Sequence, residues 1–361
     1  MGNAVNGRAV HEKSFQKSCD SKFAYFDVNV KIIALAVCVK VSCKQSMSKV
    51  FSSDIGFDVA LEALRDGALV GVPTETVYGL AADATNEQAV AKIYKSKGRP
   101  SFNPLIAHVS GVEMAQRYGA FPELALKLAD AFWPGPLTIV VPLNESCGIA
   151  DAVTAGLGTI ALRYPLGVMA DLAEALDAPI AAPSANTSGK ISPTTAQHVL
   201  DDLGDKVAVI LDGGACAVGL ESTVVKVDGE TVVLLREGGL SVEMIEAQMG
   251  KIERGTRAPK VEAPGMLLKH YAPRLPLRIN ANSVRADEAL IAFGTPLDGA
   301  MATRNLSLDE NLGEAANRLF AIMKELEDSG AHGIAVQPIP HHGLGAAIND
   351  RLKRAAEGSG D

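Results

Sequence analysis

From Ile55 onward, short apolar runs closed by proline or glycine alternate with longer stretches in which apolar residues recur every three or four positions. The first pattern predicts buried strands and the second predicts helices with one apolar face. On that basis Asp58–Asp66, Glu87–Ser96 and Glu123–Phe132 are helices, with Asn86 as the N-cap of the second. Strands are predicted at Ala68–Val72, Leu105–Val109, Leu137–Val141, Thr159–Arg163 and Pro179–Ala182. Val207–Leu211, Thr223–Val227 and Thr231–Leu235 follow, with Asp228-Gly229 as a two-residue hairpin between the last two. Strands interleaved with helices and a hairpin imply an α/β domain with a mixed sheet over roughly 55–248.

Gly250–Pro276 breaks the pattern. Pro259, Pro264, Pro273 and Pro276, with Gly250, Gly255 and Gly265, mark a semi-rigid linker. Beyond it, Leu277–Ile279, Ala289–Phe293 and Gly333–Val336 read as strands, and Asn311–Glu327 and Leu344–Ala355 as helices. The first 46 residues hold three of the five cysteines and seven Lys/Arg against three acids, without amphipathic period. Their apolar run, Ile32–Val39, is too short to span a bilayer. The predicted organisation is therefore an extension at 1–46, disordered or foreign to the fold, a catalytic domain at 47–248, a linker at 249–276 and a small α/β domain at 277–361.

Composition narrows the function. Across 361 residues the net charge is -8, so no global basic field exists to hold nucleic acid. Cys19, Cys38, Cys43, Cys147 and Cys216 form no C-x-x-C pair, which argues against a disulfide framework or structural zinc and fits a reducing cytoplasm. Gly189-Lys190 lacks the rest of a phosphate-binding P-loop. Gly156-x-Gly158-x-x-Ala161 precedes a strand where a dinucleotide fingerprint would follow one.

What remains is a set of polar clusters near predicted strand ends. Thr74-Glu75-Thr76 follows the first strand, and Lys97, Arg99 and Asn103 precede the strand holding His108. Thr159 and Arg163 bracket another strand, and Ser184, Asn186 and Ser192 share one loop. Glu221-Ser222-Thr223 opens a strand and Arg236 closes the hairpin. Singly, each reads as well as a rim charge, a turn or a satisfied sheet histidine. Jointly, three arginines, a lysine and several hydroxyls suit an anion, phosphate above all.

Seven stretches in order carry a family resemblance: Pro73–Leu80, Lys97–Pro100, Pro134–Thr138, Ala161–Pro165, Ala182–Gly189, Glu221–Val225 and Leu235–Gly238. Over about 55–245 the chain closely resembles the YrdC-like threonylcarbamoyl-AMP synthases. Ala263–Met266, Lys269–Pro273 and Gly343–Asp350 resemble that family's long branch, which adds a C-terminal Rossmann-like domain. The resemblance implies a YrdC-like mixed twisted sheet and a nucleotidyltransferase that makes threonylcarbamoyl-AMP and pyrophosphate from L-threonine, bicarbonate and ATP. Its product would serve threonylcarbamoyladenosine formation in tRNA, completed by downstream transferase proteins. By motif, Thr76, His108, Arg163, Ala182 and Ser222 would hold threonine. Lys97, Arg99, Asn103, Thr159, Ser184, Asn186, Ser192, Arg236 and Tyr271 would hold ATP, with Lys97 and Arg99 catalytic. Mg²⁺ would arrive on ATP and be held by no protein side chain. The expectation is a cytoplasmic enzyme with no membrane and no stable nucleic-acid contact. The alternative is an RNA-binding or ribosome-assembly factor of the same fold, which the acidic net charge and the lack of interleaved surface aromatics disfavour.

Overall fold

Short apolar segments pair side by side into two separate sheets, each with helices packed on it. The structure, a computed structural model, describes residues 49–255 and 270–359. The expectations for 1–46 and for the linker motif Ala263–Met266 fall outside those residues. In chain order the larger part contains β1 (Val50–Ser52), α1 (Ser53–Arg65), β2 (Val70–Val72), β3 (Gly79–Asp83), α2 (Glu87–Lys97) and β4 (Ile106–His108). Next come α3 (Val112–Tyr118), α4 (Glu123–Phe132), β5 (Leu137–Pro142), α5 (Asp151–Thr154), β6 (Thr159–Arg163) and α6 (Val168–Leu176). It ends with β7 (Ile180–Ala181), α7 (Ala196–Leu203), β8 (Val209–Asp212), β9 (Thr223–Asp228), β10 (Thr231–Arg236), α8 (Val242–Met249) and β11 (Glu253–Arg254). The smaller part contains β12 (Leu277–Arg278), β13 (Glu288–Ala292), β14 (Ala302–Asn305), α9 (Leu312–Glu327), β15 (Gly333–Val336) and α10 (Leu344–Gly358).

The large sheet runs β1-β8-β2-β3-β7-β4-β6-β5-β9-β10-β11 and mixes parallel with antiparallel pairs. The small sheet, β12-β15-β13-β14, is parallel throughout, with α9 and α10 packed on it. This is the expected α/β class with a smaller C-terminal α/β unit. A helix capped as anticipated is α2, where Asn86 accepts from Ala89 N and Gly98, at φ 62°, ends it.

Departures from the expected elements have local causes. Gly79-Leu-Ala-Ala-Asp has little intrinsic strand preference, yet it becomes β3 through pairing with β2 and β7. Helices α3 and α6 begin after Gly111 and Gly167, so no side-chain cap announces them. In the hairpin Asp228 pairs with Thr231, which moves the two-residue turn to Gly229-Glu230, with Gly229 at φ 60°.

The small part's core does not end at its own boundary. Val77, Ile191, Leu220 and Tyr271 pack into the same apolar cluster as Leu319, Phe320 and Ile348. The two sheets therefore meet over the loops that follow β2 and precede β9.

Candidate active site

Register and strand alternation set a polar row across one face of the large sheet. His108 pairs with Arg163, Ile139 with Leu162 and Thr138 with Val224. Successive side chains point to opposite faces, so His108, Arg163, Thr138 and Ser222 share a side. Thr138 Oγ1 and Ser222 Oγ lie 2.7 Å apart. One step along the strands, Ile106, Ala161, Val140 and Val224 form an apolar cluster of their own. A polar row thus borders an apolar one.

At one end of the row, the loop after β2 is tied by its own hydroxyl. Thr74 Oγ1 donates to Val77 O (2.7 Å) and accepts from Thr76 N and Val77 N (3.2 Å each). The turn brings Thr76 Oγ1 within 2.9 Å of Arg163 Nη1. Arg163 Nε donates to Gly135 O at 3.2 Å, and its Nη2 lies 2.8 Å from Glu75 Oε2. Both members of that ion pair are buried, and among the described residues Glu75 Oε1 has no hydrogen-bond partner. His108 Nδ1 sits 3.3 Å from Ile180 O, an atom that can only accept, so Nδ1 carries the proton. Burial, then the neighbouring Arg163 charge, push the His108 pKa down to about 3. The imidazole is neutral.

The opposite end is built from more distant pieces. Arg236 donates through Nε (3.1 Å) and Nη2 (2.7 Å) to Ser222 O, and through Nη2 to Ser222 Oγ (3.2 Å). Glu221 Oε1 accepts from Ser192 Oγ at 2.5 Å, and Oε2 from Arg351 Nε at 3.0 Å. Burial works to raise the Glu221 pKa, but Arg351 and Arg236 hold it near 2, so the carboxylate is ionised. Tyr271, at φ 63°, stacks on Phe320 (5.5 Å, 24°) and lies 5.2 Å beneath the Arg351 guanidinium. Beside it, burial pushes His270 down to about 3, opposed by Glu221.

Many of these groups line one cavity. Its walls include Thr76, His108, Arg163, Ala182, Ser184 and Ser222 from the sheet and its loops, with Arg99, Arg236 and Tyr271 closing it. Nine of the fourteen residues given a ligand role from the sequence are therefore brought together. Lys97 stands behind the wall, where its buried Nζ donates to Ser184 O and Asn186 O. Burial, with Arg99 second, pulls that ammonium well below its ordinary pKa. Asn103 accepts Arg99 Nε on its carbonyl (3.1 Å), and the Asn186 side chain bonds Thr187 O and Lys190 O within its own loop. Ser192 reaches the cavity only through Glu221. Thr159 opens the strand that Arg163 closes, roughly 13 Å away at ~3.3 Å per residue.

Sequence reasoning gave no role to Glu75, Thr138, Glu221, His270 or Arg351. Thr138 was accessible from strand alternation alone. Glu221 was not, since its ionic partner lies 130 positions along the chain.

Residues 62–238 match the family described as "Telomere recombination", and residues 240–357 match "Threonylcarbamoyl-AMP synthase, C-terminal domain". A threonylcarbamoyl-AMP synthase of Pyrococcus abyssi is 40% identical over 318 residues, covering 82% of this chain and 93% of the relative. One from Bacillus subtilis is 39% identical over 83% of this chain and 92% of its own. The crystal structure of P. abyssi Sua5 complexed with L-threonine superposes with a TM-score of 0.79 at 35% identity, over 87% of this chain and all of that one. With both family segments matched in order and relatives aligned across both sheets, this chain belongs to the threonylcarbamoyl-AMP synthases, a family of nucleotidyl-transferring enzymes.

Proposed function

We propose that the chain joins L-threonine, bicarbonate and ATP into threonylcarbamoyl-AMP, releasing pyrophosphate. The observation that carries this reading is one cavity lined by three buried or part-buried guanidinium groups, Arg99, Arg163 and Arg236, with hydroxyls between them. Such a set suits two anions held close together. The P. abyssi relative crystallised with L-threonine adds the amino-acid substrate. Threonine then sits at the Thr76–Arg163 end, its carboxylate on Arg163 and its polar groups on Thr76, Ser222 and the Ala182 backbone. Neutral His108 adds no charge to repel the ammonium. ATP takes the Arg99–Arg236 end with Ser184 and Tyr271. Lys97, Asn103, Asn186 and Ser192 hold the surrounding loops, and Thr159 marks the far edge.

In the reaction the threonine amine adds to bicarbonate carbon and water leaves, giving a carbamate. A carbamate oxygen attacks the α-phosphorus, the bond to the β-phosphate breaks, and pyrophosphate departs with the electron pair. No protein nucleophile is needed. The protein's part is to hold the two anions in line and stabilise charge on the phosphate oxygens. The cavity's space is about 50 Å³, below the ~300 Å³ or more of pockets that engulf ligands, so seating the nucleotide requires its lining groups to shift.

Mg²⁺ enters as part of the ATP substrate. Glu221, the one carboxylate among the described lining residues, already has both oxygens engaged, and the described residues contain no metal-holding cluster. Mg²⁺ would then be held by ATP oxygens and water. The adenylate would pass to proteins that complete threonylcarbamoylation of tRNA.

Incubation with ATP, L-threonine and radiolabelled bicarbonate tests the reading. It expects a labelled adenylate together with threonine-dependent pyrophosphate. Pyrophosphate release indifferent to threonine would defeat it. Salt-dependent RNA affinity untouched by ATP, with no adenylate formed, would favour the RNA-binding alternative.

A further inference from the structure

Glu221 poses an electrostatic problem. It is an ionised, buried carboxylate lining a cavity whose arginines suit phosphate. Left alone it would repel a triphosphate, or draw the guanidinium of Arg236 onto itself. Arg351 answers that problem from another part of the fold. It projects from α10 in the small α/β part, its side chain fully buried, and donates Nε to Glu221 Oε2 at 3.0 Å. Asp350 Oδ2 accepts from its Nη1 at 2.9 Å, and the face of the Tyr271 ring lies below it. A guanidinium with these partners stays protonated, raised above its ordinary pKa by Tyr271, Glu221 and Asp350 in spite of burial.

We infer that Arg351 is a positioning residue for the nucleotide: by neutralising Glu221 it keeps the charge of Arg236 directed at the phosphates. This rests on the reading of the Arg99–Arg236 end as the ATP site. The small α/β part then supplies a charge that completes the site. Glu221 keeps its use as the anchor of Ser192.

The test is a charge-rescue cycle on the full chain, with ATP and threonine affinities measured separately. Arg351→Met is expected to weaken ATP binding by about tenfold or more while threonine binding stays within about twofold, because one buried charge is left unpaired. Adding Glu221→Gln to Arg351→Met is expected to restore ATP affinity, whereas urea stability recovered without ATP affinity would overturn the inference. Arg351→Lys, which keeps the charge, is expected to bind ATP close to wild type. If Arg351→Met does not fold, the lysine variant and the double variant still decide, since both must bind ATP. Unchanged ATP affinity in Arg351→Met, or no rescue by Glu221→Gln, overturns the inference. Failure of the wild type itself to bind ATP would instead defeat the functional reading beneath it.

Discussion

The two ends of the cavity are built by different rules. At the Thr76–Arg163 end, Thr74, Thr76, Glu75 and Arg163 come from a strand-end loop and a strand of one sheet, and their bonds close among themselves. At the Arg236–Glu221 end, Ser192, Arg236, Tyr271 and Arg351 come from a loop, a strand, the segment leading to the second sheet and the final helix. The first end draws its side-chain bonds from the large sheet, while the second takes a side chain from the small part. On the proposed reading, the nucleotide end is the one that borrows a buried charge from the small part.

The sharpest way to break this comparison is to remove Arg163. Arg163→Met leaves the Glu75 carboxylate buried without its cation, a change that costs about 3–5 kcal/mol in comparable pairs. Thr76 Oγ1 and Gly135 O lose a donor as well. Urea unfolding should show that loss, and threonine-dependent pyrophosphate release should disappear. Adding Glu75→Gln should recover part of the stability and none of the threonine use. Full recovery of both would mean that Arg163 does not contact the substrate.

The difference between the ends also explains what could be read from the sequence. Thr76, His108, Arg163, Ser222 and Arg236 were legible because strand periodicity puts them at the ends or on one face of short apolar runs. The long helices α4 and α9 were legible from their apolar stripes, and Asn86 caps as its side chain suggests, while Asn311, read as helical, proves to be the cap of α9. Glu221 and Arg351 were not, because a carboxylate has the wrong sign for a phosphate pocket until its distant partner is seen. Lys97 reads as a cation for phosphate, and in the fold its ammonium is buried against two carbonyls. Strand β3 was hidden by its glycine and alanines, whose place is decided by neighbouring strands rather than by propensity.

A smaller effect should appear in the pH dependence of stability. His108 has a folded pKa of about 3 against an ordinary 6.5. Above that ordinary value both states are neutral and the residue contributes no slope. As pH falls below it, the unfolded chain takes up a proton that the folded chain refuses, so stability drops toward pH 3. The slope reaches up to about 1.4 kcal/mol per pH unit for one such group. His270 at the other end, with a folded value of about 3, acts in the same direction. His108→Gln should remove close to one proton's worth of that slope in urea titrations between about pH 4 and 6. An unchanged slope would show that His108 is charged in the fold.

The mildest perturbation asks whether the Thr76–Arg163 end is as independent of the small sheet as its own bonds suggest. Asn317 on α9 donates from Nδ2 to Cys216 O (2.6 Å) and Ala217 O (2.9 Å). The next two residues carry that grip onward, since Val218 N donates to Glu75 O (2.7 Å) and Gly219 N to Thr76 O (3.1 Å). Gly219, at φ 79°, presses so closely on α9 that a Cβ would meet Asn317 O at 2.5 Å. Asn317→Ala removes two hydrogen bonds to carbonyls that are partly open to water, a loss of about 1 kcal/mol. The loop under Glu75 and Thr76 should loosen, raising the KM for threonine severalfold with little change for ATP. That is the mirror image of the pattern expected from Arg351→Met. If Asn317→Ala leaves threonine kinetics untouched, the Thr76–Arg163 end is self-sufficient and the comparison stands in its strongest form. If it weakens ATP instead, the small sheet acts on the cavity as a whole, and the division into two ends fails.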